Sequence, residues 1–360
     1  MGILIFILIL VVLIVGHEFG HFIAAKRAGM EVPEFGVGFP PKLWSKVYGA
    51  TEYSVNALPF GGFVRIVGEN GDVENPNSFT KKSKLKQAGV LCAGPAMNVV
   101  LGFLAFWIAF MLGFPTVVDD TEGAQLAHAR VVVSEIVAGS PVDRAGMLVG
   151  DTVLSLTASG KTTVVEHPTD ISNALLLEPD LVLLTAERNG EERVFTIIPE
   201  RGVIVEEPER AALGVGSLVI ADVSYGVLES LWRACVATVY GTVAIVTGIA
   251  ELVTGALTLS ASLETISGPV GIASVVSDAA RIGWGQVLAF AGIISLNLAV
   301  LNLMPFPALD GGRLLFLGIE VVRGRALPQN VSSIANTIGF VLLIVLMLVV
   351  TWNDVVRLVS

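Results

Sequence analysis

The chain alternates between long stretches almost free of charge and stretches in which polar and apolar positions mix. Four uncharged or nearly uncharged runs, 2–25, 88–114, 284–309 and 331–352, are long enough to cross a bilayer as helices, since about 20 apolar residues span the hydrocarbon core. The first has no basic segment before it and no small-residue cleavage site. It continues apolar through Phe22-Ile23-Ala24-Ala25 and is expected to be a retained helix, not a cleaved signal. A fifth uncharged run, 234–250, is bracketed by Glu229, Arg233 and Glu251 and is rich in Thr and Gly. It is expected to lie on the bundle or pack beside it.

The mixed stretches carry a different period. Between the first two runs, β-branched and aromatic residues at 51–58 and 63–67 flank Pro59-Phe60-Gly61-Gly62, which predicts a β-hairpin within 49–68. Between the second and third runs, Val131-Val132-Val133, a helical stretch near 170–177 and strands at 181–188 and 193–198 predict one small α/β domain over 130–200. Residues 201–283 are then a linker and the membrane-associated helix. The membrane part falls into two halves, 1–114 and 284–360.

Composition agrees with a membrane protein: 53% of residues are hydrophobic and 15% charged, against about 25% charged in ordinary domains. The formal charge of −10 excludes nucleic acid as a partner, because phosphate binding needs a basic footprint. Residues 116–225 hold 7 Lys+Arg and 18 Asp+Glu, a balance of −11, so the rest of the chain is close to neutral. Basic residues mark the cytoplasmic ends of spans. Residues 26–87 begin Lys26-Arg27 and end in Lys81, Lys82, Lys84 and Lys86, and Arg313, Arg323 and Arg325 follow the third run. The acidic block opens Asp119-Asp120-Thr121-Glu122. Residues 26–87 and 310–330 are therefore expected in the cytoplasm, with both termini and the acidic block outside. Cys92 and Cys235 are the only thiols, and both sit in apolar runs, so no disulfide framework is predicted.

The candidate chemistry lies inside the first run, at His17-Glu18-Phe19-Gly20-His21. Positions i and i+4 share a helix face, so both imidazoles can reach one metal with Glu18 beside them. Catalytic zinc usually takes three protein ligands. His128 and His167 fall in the external block, whereas Asp310 stands at the end of the third run in the stretch from Asn302 to Gly312, where Pro305 and Pro307 break the helix. Irregular backbone at membrane depth is tolerated where it lines a cavity or is buried in protein. For Asp310 to reach the depth of the histidines, the third run must cross inward like the first. That parity leaves four spans and keeps 234–250 from crossing.

Together these residues resemble the bacterial site-2 proteases, intramembrane zinc metalloproteases that carry an extracytoplasmic PDZ domain. The resemblance rests on His17 to His21, on Gly49-Ala50-Thr51-Glu52-Tyr53 through Gly61-Gly62-Phe63-Val64-Arg65, and on Ala93-Gly94-Pro95-Ala96-Met97-Asn98. Ser267-Gly268-Pro269-Val270-Gly271 and the stretch from Asn302 to Gly312 complete it. It implies His17, His21 and Asp310 as ligands of Zn2+, Glu18 as catalytic base and Asn302 as a substrate contact. Gly139-Ser140-Pro141 through Leu154 resembles the opening of bacterial PDZ domains.

The expected architecture is a polytopic α-helical membrane protein with four transmembrane helices, a cytoplasmic-side β-hairpin region and one inserted extracytoplasmic α/β PDZ domain, in the bacterial inner membrane. The expected partners are the bilayer, single-span membrane proteins such as pre-cut anti-sigma factors or signal-peptide remnants, and a peptide ligand or a size-filtering role for the PDZ domain. The hairpin either adds an unwound substrate as a strand or caps the site. Two rivals stand beside the protease. A metal or proton transporter would also bury His, Glu and Asp, and a non-catalytic PDZ scaffold would use the external domain alone.

Overall fold

In the computed structural model the long apolar runs are helices and the mixed stretches are sheets. The structure describes residues 2–69, 71, 74–117, 127–176, 179–188, 190–203, 209–258, 268–325 and 327–359. Asp119 to Glu122, residue 177 of the predicted helix and Ser267 lie outside them. The chain divides into one unit made of residues 1–112 and 226–360, and another of 113–225.

The first unit contains α1 (Gly2–Arg27), strands β1 (Glu34–Tyr48) and β2 (Thr51–Arg65), and α2 (Lys84–Leu112). The second unit intervenes with β3 (Phe114–Val117), β4 (Ala127–Ile136), α3 (Pro141–Arg144), β5 (Thr152–Ala158), β6 (Lys161–Val164), α4 (Pro168–Leu175), β7 (Val182–Arg188), β8 (Glu191–Ile197) and β9 (Val215–Val223). The first unit then resumes with α5 (Val227–Leu257), α6 (Pro269–Ile282), α7 (Trp284–Leu303), α8 (Asp310–Arg323) and α9 (Gln329–Val359).

Among the described residues, five helices are long and apolar enough to cross a membrane: α1, α2, α7, and the segments Val227–Gly255 of α5 and Asn330–Val356 of α9. Four of these match the runs predicted as spans. The fifth contains the 234–250 run, expected beside the bundle; its helix continues through Glu229, Arg233 and Glu251, because Glu229 and Arg233 pair one turn apart at 2.9 Å. Buried Ala234 packs with Phe106 of α2 and Leu296 of α7, so α5 is joined to the bundle along its first turns.

The ends of the first unit can be told apart. A Cβ on Gly2 would meet Ser277 of α6, so α6 lies at the N-terminal end of α1. Asp354, late in α9 and buried, accepts from the N–H groups of Gly268 and Gly271 at 3.0 and 2.8 Å, capping α6. At the other end, Lys84 of α2 pairs with Glu320 of α8 at 2.6 Å, and Arg313 of α8 pairs with Glu69 after β2. Since α7 starts one residue after α6 and ends near α8, α1 and α7 run in the same sense, as the parity argument requires.

The small sheet differs from the expected hairpin. β1 and β2 are joined by a tight turn at Gly49-Ala50, and Lys42 to Tyr48 pairs with Asn56 to Thr51. Glu34, Phe35, Gly36 and Val37 then face Glu52 to Val55 on one side and Arg65 to Gly62 on the other. The reversal predicted near 59–62 is present, but its arms are not paired with each other; residues 34–37 lie between them. Only a residue without a side chain fits at Gly36, where a Cβ would stand 2.3 Å from the Phe63 ring and 2.9 Å from Ser54 Oγ. A core of Ala25, Met30, Val32, Ile66, Phe79, Val90, Leu91 and Leu317 seats this sheet against α1, α2 and α8.

In the second unit the sheet runs β3-β9-β4-β5-β7-β8, with β6 on β5. Val131 and Val133, Val182 and Leu184, and Phe195 and Ile197 alternate inward along their strands, and with Val153 and Leu156, on either side of an irregularity in β5, they form the core with Ile171 and Leu175 of α4. The predicted strands at 181–188 and 193–198 and the helix near 170–177 correspond to β7, β8 and α4. The sheet continues beyond 130–200, since β9 pairs with both β3 and β4. Asp151, 1% exposed, receives Arg188 in two hydrogen bonds of 2.6 Å and the N–H of Leu148 at 2.9 Å.

Candidate metal centre

Three side chains predicted from sequence converge. His17 and His21 are buried on one face of α1, their rings edge-on with centroids 4.7 Å apart. Asp310 is the first residue of α8. Its Oδ2 lies 3.1 Å from His17 Nε2 and 3.3 Å from His21 Nε2, and the two Nε2 atoms are 3.1 Å apart. Zinc bonds of about 2.0–2.1 Å in tetrahedral geometry place ligand atoms roughly 3.3 Å from one another, so the triangle has the size and the N,N,O donor set of a zinc site. Among the described residues it is the group of His, Cys, Asp and Glu able to hold a metal ion.

The backbone around the triangle is shaped to leave it open. A Cβ on Gly94 would fall 2.2 Å from His21 Nε2 and 2.6 Å from His17 Nε2, so any side chain there would occupy the space beside the donor atoms. Gly20 lets α1 and α2 close up, because a Cβ there would meet Ala93 O at 2.3 Å. His21 Nδ1 donates to Val90 O at 2.7 Å, which turns its Nε2 inward. His17 Nδ1 faces the side-chain amide of Asn98 at 3.2 Å, and Ser295 Oγ donates to the Asn98 carbonyl at 2.7 Å.

Asp310 is delivered by the break after α7. Pro305 and Pro307 cannot continue the helix, and Ala308 adopts the left-handed region at φ 77°. Its N–H donates to Asn336 Oδ1 of α9 at 3.1 Å. Gly311 and Gly312 let α8 begin against the loop carbonyls, since a Cβ on either would lie 2.2 Å from Met304 O or Phe306 O. The carboxylate then sits in the first turn of a helix, where the macrodipole favours an anion.

Glu18, Asn98 and Asn302 share with His17 and Asp310 the lining of a cavity of about 240 Å³. Glu18 thus points into the space beside the triangle, and Asn302, next to last in α7, reaches the same space. The small sheet comes close as well: a Cβ on Gly62 would lie 3.5 Å from Glu18 Cγ and 3.2 Å from Gly36 O. The β2 arm 62–65 therefore ends beside Glu18. His167 begins α4 in the other unit, where Asp170 accepts from the N–H groups of Glu166 and His167, and it takes no part in the triangle; the side chain of His128 lies outside the described residues. The sequence motif that contains Gly94 and Asn98 was visible, but a glycine-proline pair inside a span gives no sign of which helix it faces.

The chain as a whole resembles a known family. The model of Peptidase family M50 matches residues 5–346. The chain is 30% identical to the zinc metalloprotease RasP of Oceanobacillus iheyensis, over 98% of both chains. It is 31% identical to RasP of Geobacillus kaustophilus, over 97% of this chain and 96% of that one. It is 27% identical to the regulator of sigma E protease of Haemophilus influenzae, over 98% of each. The likeness to site-2 proteases drawn from the motifs therefore holds along nearly the whole chain, and the protein belongs to peptidase family M50.

Proposed function

We propose that the chain is an intramembrane zinc metalloprotease that hydrolyses peptide bonds within the transmembrane segments of single-span membrane proteins. The observation that carries this is the triangle of His17, His21 and Asp310, with Glu18 on the same cavity. His17, His21 and Asp310 would hold a zinc ion, which when bound would supply Lewis acidity to a water and to the scissile carbonyl. Glu18 takes the proton of the attacking water and passes it to the leaving amine. Asn302, which lines the same cavity, holds the substrate carbonyl or its neighbour by hydrogen bonding.

A substrate helix must be unwound before its carbonyl can reach Glu18. The β2 arm 62–65 pairs with 34–37 on one side and ends beside Glu18, which supports its use as an edge to which the unwound segment adds as a strand. The 113–225 unit acts as a PDZ-type domain outside the membrane, where it either takes a peptide ligand or keeps intact ectodomains from the site. Four spans, α1, α2, α7 and α9, cross the bacterial inner membrane with termini outside, and α5 packs on the bundle. The support is the parallel course of α1 and α7, together with the basic cluster of Lys26, Arg27, Lys84 and Arg313 at the triangle's end of the unit. The substrates fitting this arrangement are anti-sigma factors already trimmed outside the membrane, or signal-peptide remnants.

Glu18→Gln tests the reading. The purified variant should keep its zinc, and cells carrying it should accumulate membrane fragments that the wild type removes. A transporter would lose metal or proton flux without such accumulation, and a scaffold would show neither change.

A further inference from the structure

We propose that Asn98 is a positioning residue for the metal: its side-chain oxygen accepts a hydrogen bond from His17 Nδ1–H and so fixes the tautomer that presents the Nε2 lone pair. The proposal rests on the reading of His17, His21 and Asp310 as metal ligands. A histidine that binds a metal through Nε2 must carry its proton on Nδ1, and that proton needs an acceptor. His21 has one of fixed polarity, the carbonyl of Val90 at 2.7 Å. Among the described residues, the group that faces His17 Nδ1 is the Asn98 amide at 3.2 Å, with its nitrogen toward the ring.

With the amide that way round, His17 would be protonated on Nε2 and could not ligate. The oxygen and nitrogen of an amide occupy nearly the same volume and are assigned from their partners. Here the partners do not hold that orientation, because Asn98 Oδ1 is buried and has no hydrogen-bond partner among the described residues. Turning the amide over therefore breaks nothing on the oxygen's side and places an acceptor at His17 Nδ1. Asn98 is 1% exposed, and one amide atom stays unpartnered in either orientation, so an apolar residue of the same shape would suit a purely structural role better. The backbone is fixed at this point by Ser295 of α7, whose hydroxyl donates to the Asn98 carbonyl. α2 thus supplies the outer hydrogen bonds of both imidazoles, one from its backbone and one from a side chain two turns later.

The test is zinc affinity, measured on detergent-purified full-length protein by competition with a chromogenic chelator. Asn98→Leu keeps the volume and removes the acceptor, and zinc binding should weaken about 10–100-fold. Asn98→Asp restores an acceptor and should bind zinc within about 3-fold of the wild type. Affinity unchanged in Asn98→Leu overturns the proposal, and so do equal losses in both variants, which would mean packing alone. Should Asn98→Leu fail to accumulate, Asn98→Asp decides by itself: retained affinity supports the acceptor role and a tenfold loss refutes it. His17→Ala and Asp310→Asn, run alongside, separate the two levels. If they too leave zinc affinity unchanged, the metal-centre reading falls and this proposal with it; if they lose zinc while Asn98→Leu does not, only the role of Asn98 is lost.

Discussion

Replacing Gly94 with alanine should disable the metal centre through a single methyl group. The added Cβ would lie 2.2 Å from His21 Nε2 and 2.6 Å from His17 Nε2, whereas ordinary contacts begin at 3.4 Å, so His21 or α2 must move by about 1.2 Å. Neither can do so freely. The His21 ring is tied to Val90 O at 2.7 Å, and α2 is pressed against α1 where Gly20 meets Ala93. A misplacement of about 1 Å in a catalytic constellation costs on the order of 100-fold, about 2.7 kcal/mol of barrier. Gly89, also in α2, is the control, since nothing lies within 4 Å of its Cβ position and alanine there only improves helix propensity. Zinc content of the purified proteins and cleavage of a transmembrane reporter in detergent are the readouts. Gly94→Ala should lose at least about 100-fold in kcat/KM with weakened zinc binding, while Gly89→Ala stays at the wild-type level. Wild-type zinc affinity and cleavage in Gly94→Ala would refute the reasoning.

Other perturbations reach other parts of the molecule. Ala308→Val puts a β-branched residue at φ 77°, adding strain to what the alanine Cβ already bears there; relief of that strain should disturb the loop before Asp310, so zinc should bind more weakly, with the helices intact by circular dichroism. Proline introduced one position at a time through 62–65 should cut cleavage of a short transmembrane substrate at alternate positions without loss of zinc, and unchanged cleavage throughout would dismiss strand addition. Arg188's hydrogen bonds hold the Asp151 carboxyl below its usual range. The stabilisation this gives is complete above the unfolded pKa near 3.9 and is lost as the pH falls through the lower folded value. Hydrogen exchange of the full-length protein should show β5 and β7 loosening in that acidic window. Arg188→Ala should loosen them already at neutral pH by on the order of 3 kcal/mol, and equal protection in both proteins would count against the pair.

What could be read in the sequence was whatever depends on local spacing or on the cost of polarity in hydrocarbon. His17 and His21 one turn apart, Asp310 behind a double proline break and the apolar runs are of that kind, and all are where the motifs put them. What could not be read depends on which segments meet. Residues 34–37 contain Gly36 and are followed by Gly38, Pro40 and Pro41, a composition typical of loops, yet they lie between two arms of the small sheet, with Gly36 close against Phe63 and Ser54. β3 is only four residues long and lies about a hundred residues from its partner β9, so their pairing beyond 130–200 has no local signature. Gly94 and Asn98 act through α1, and a single sequence does not say which face of α2 is turned toward it. The 234–250 run stayed ambiguous for another reason: a paired Glu229 and Arg233 extend a helix without making it polar enough to rule out the bilayer.

The separation of 293 residues between His17 and Asp310 has a consequence for biogenesis. The ribosome delivers Glu18 and two imidazoles within the first helix, but the carboxylate that completes the triangle comes only after α7, on a loop set against Asn336 of α9. A nascent or truncated chain therefore carries Glu18 without a finished centre to act on. On the proposed reading of the triangle, proteolytic competence is withheld until the last helix is in place, which spares the neighbours of a chain still being made.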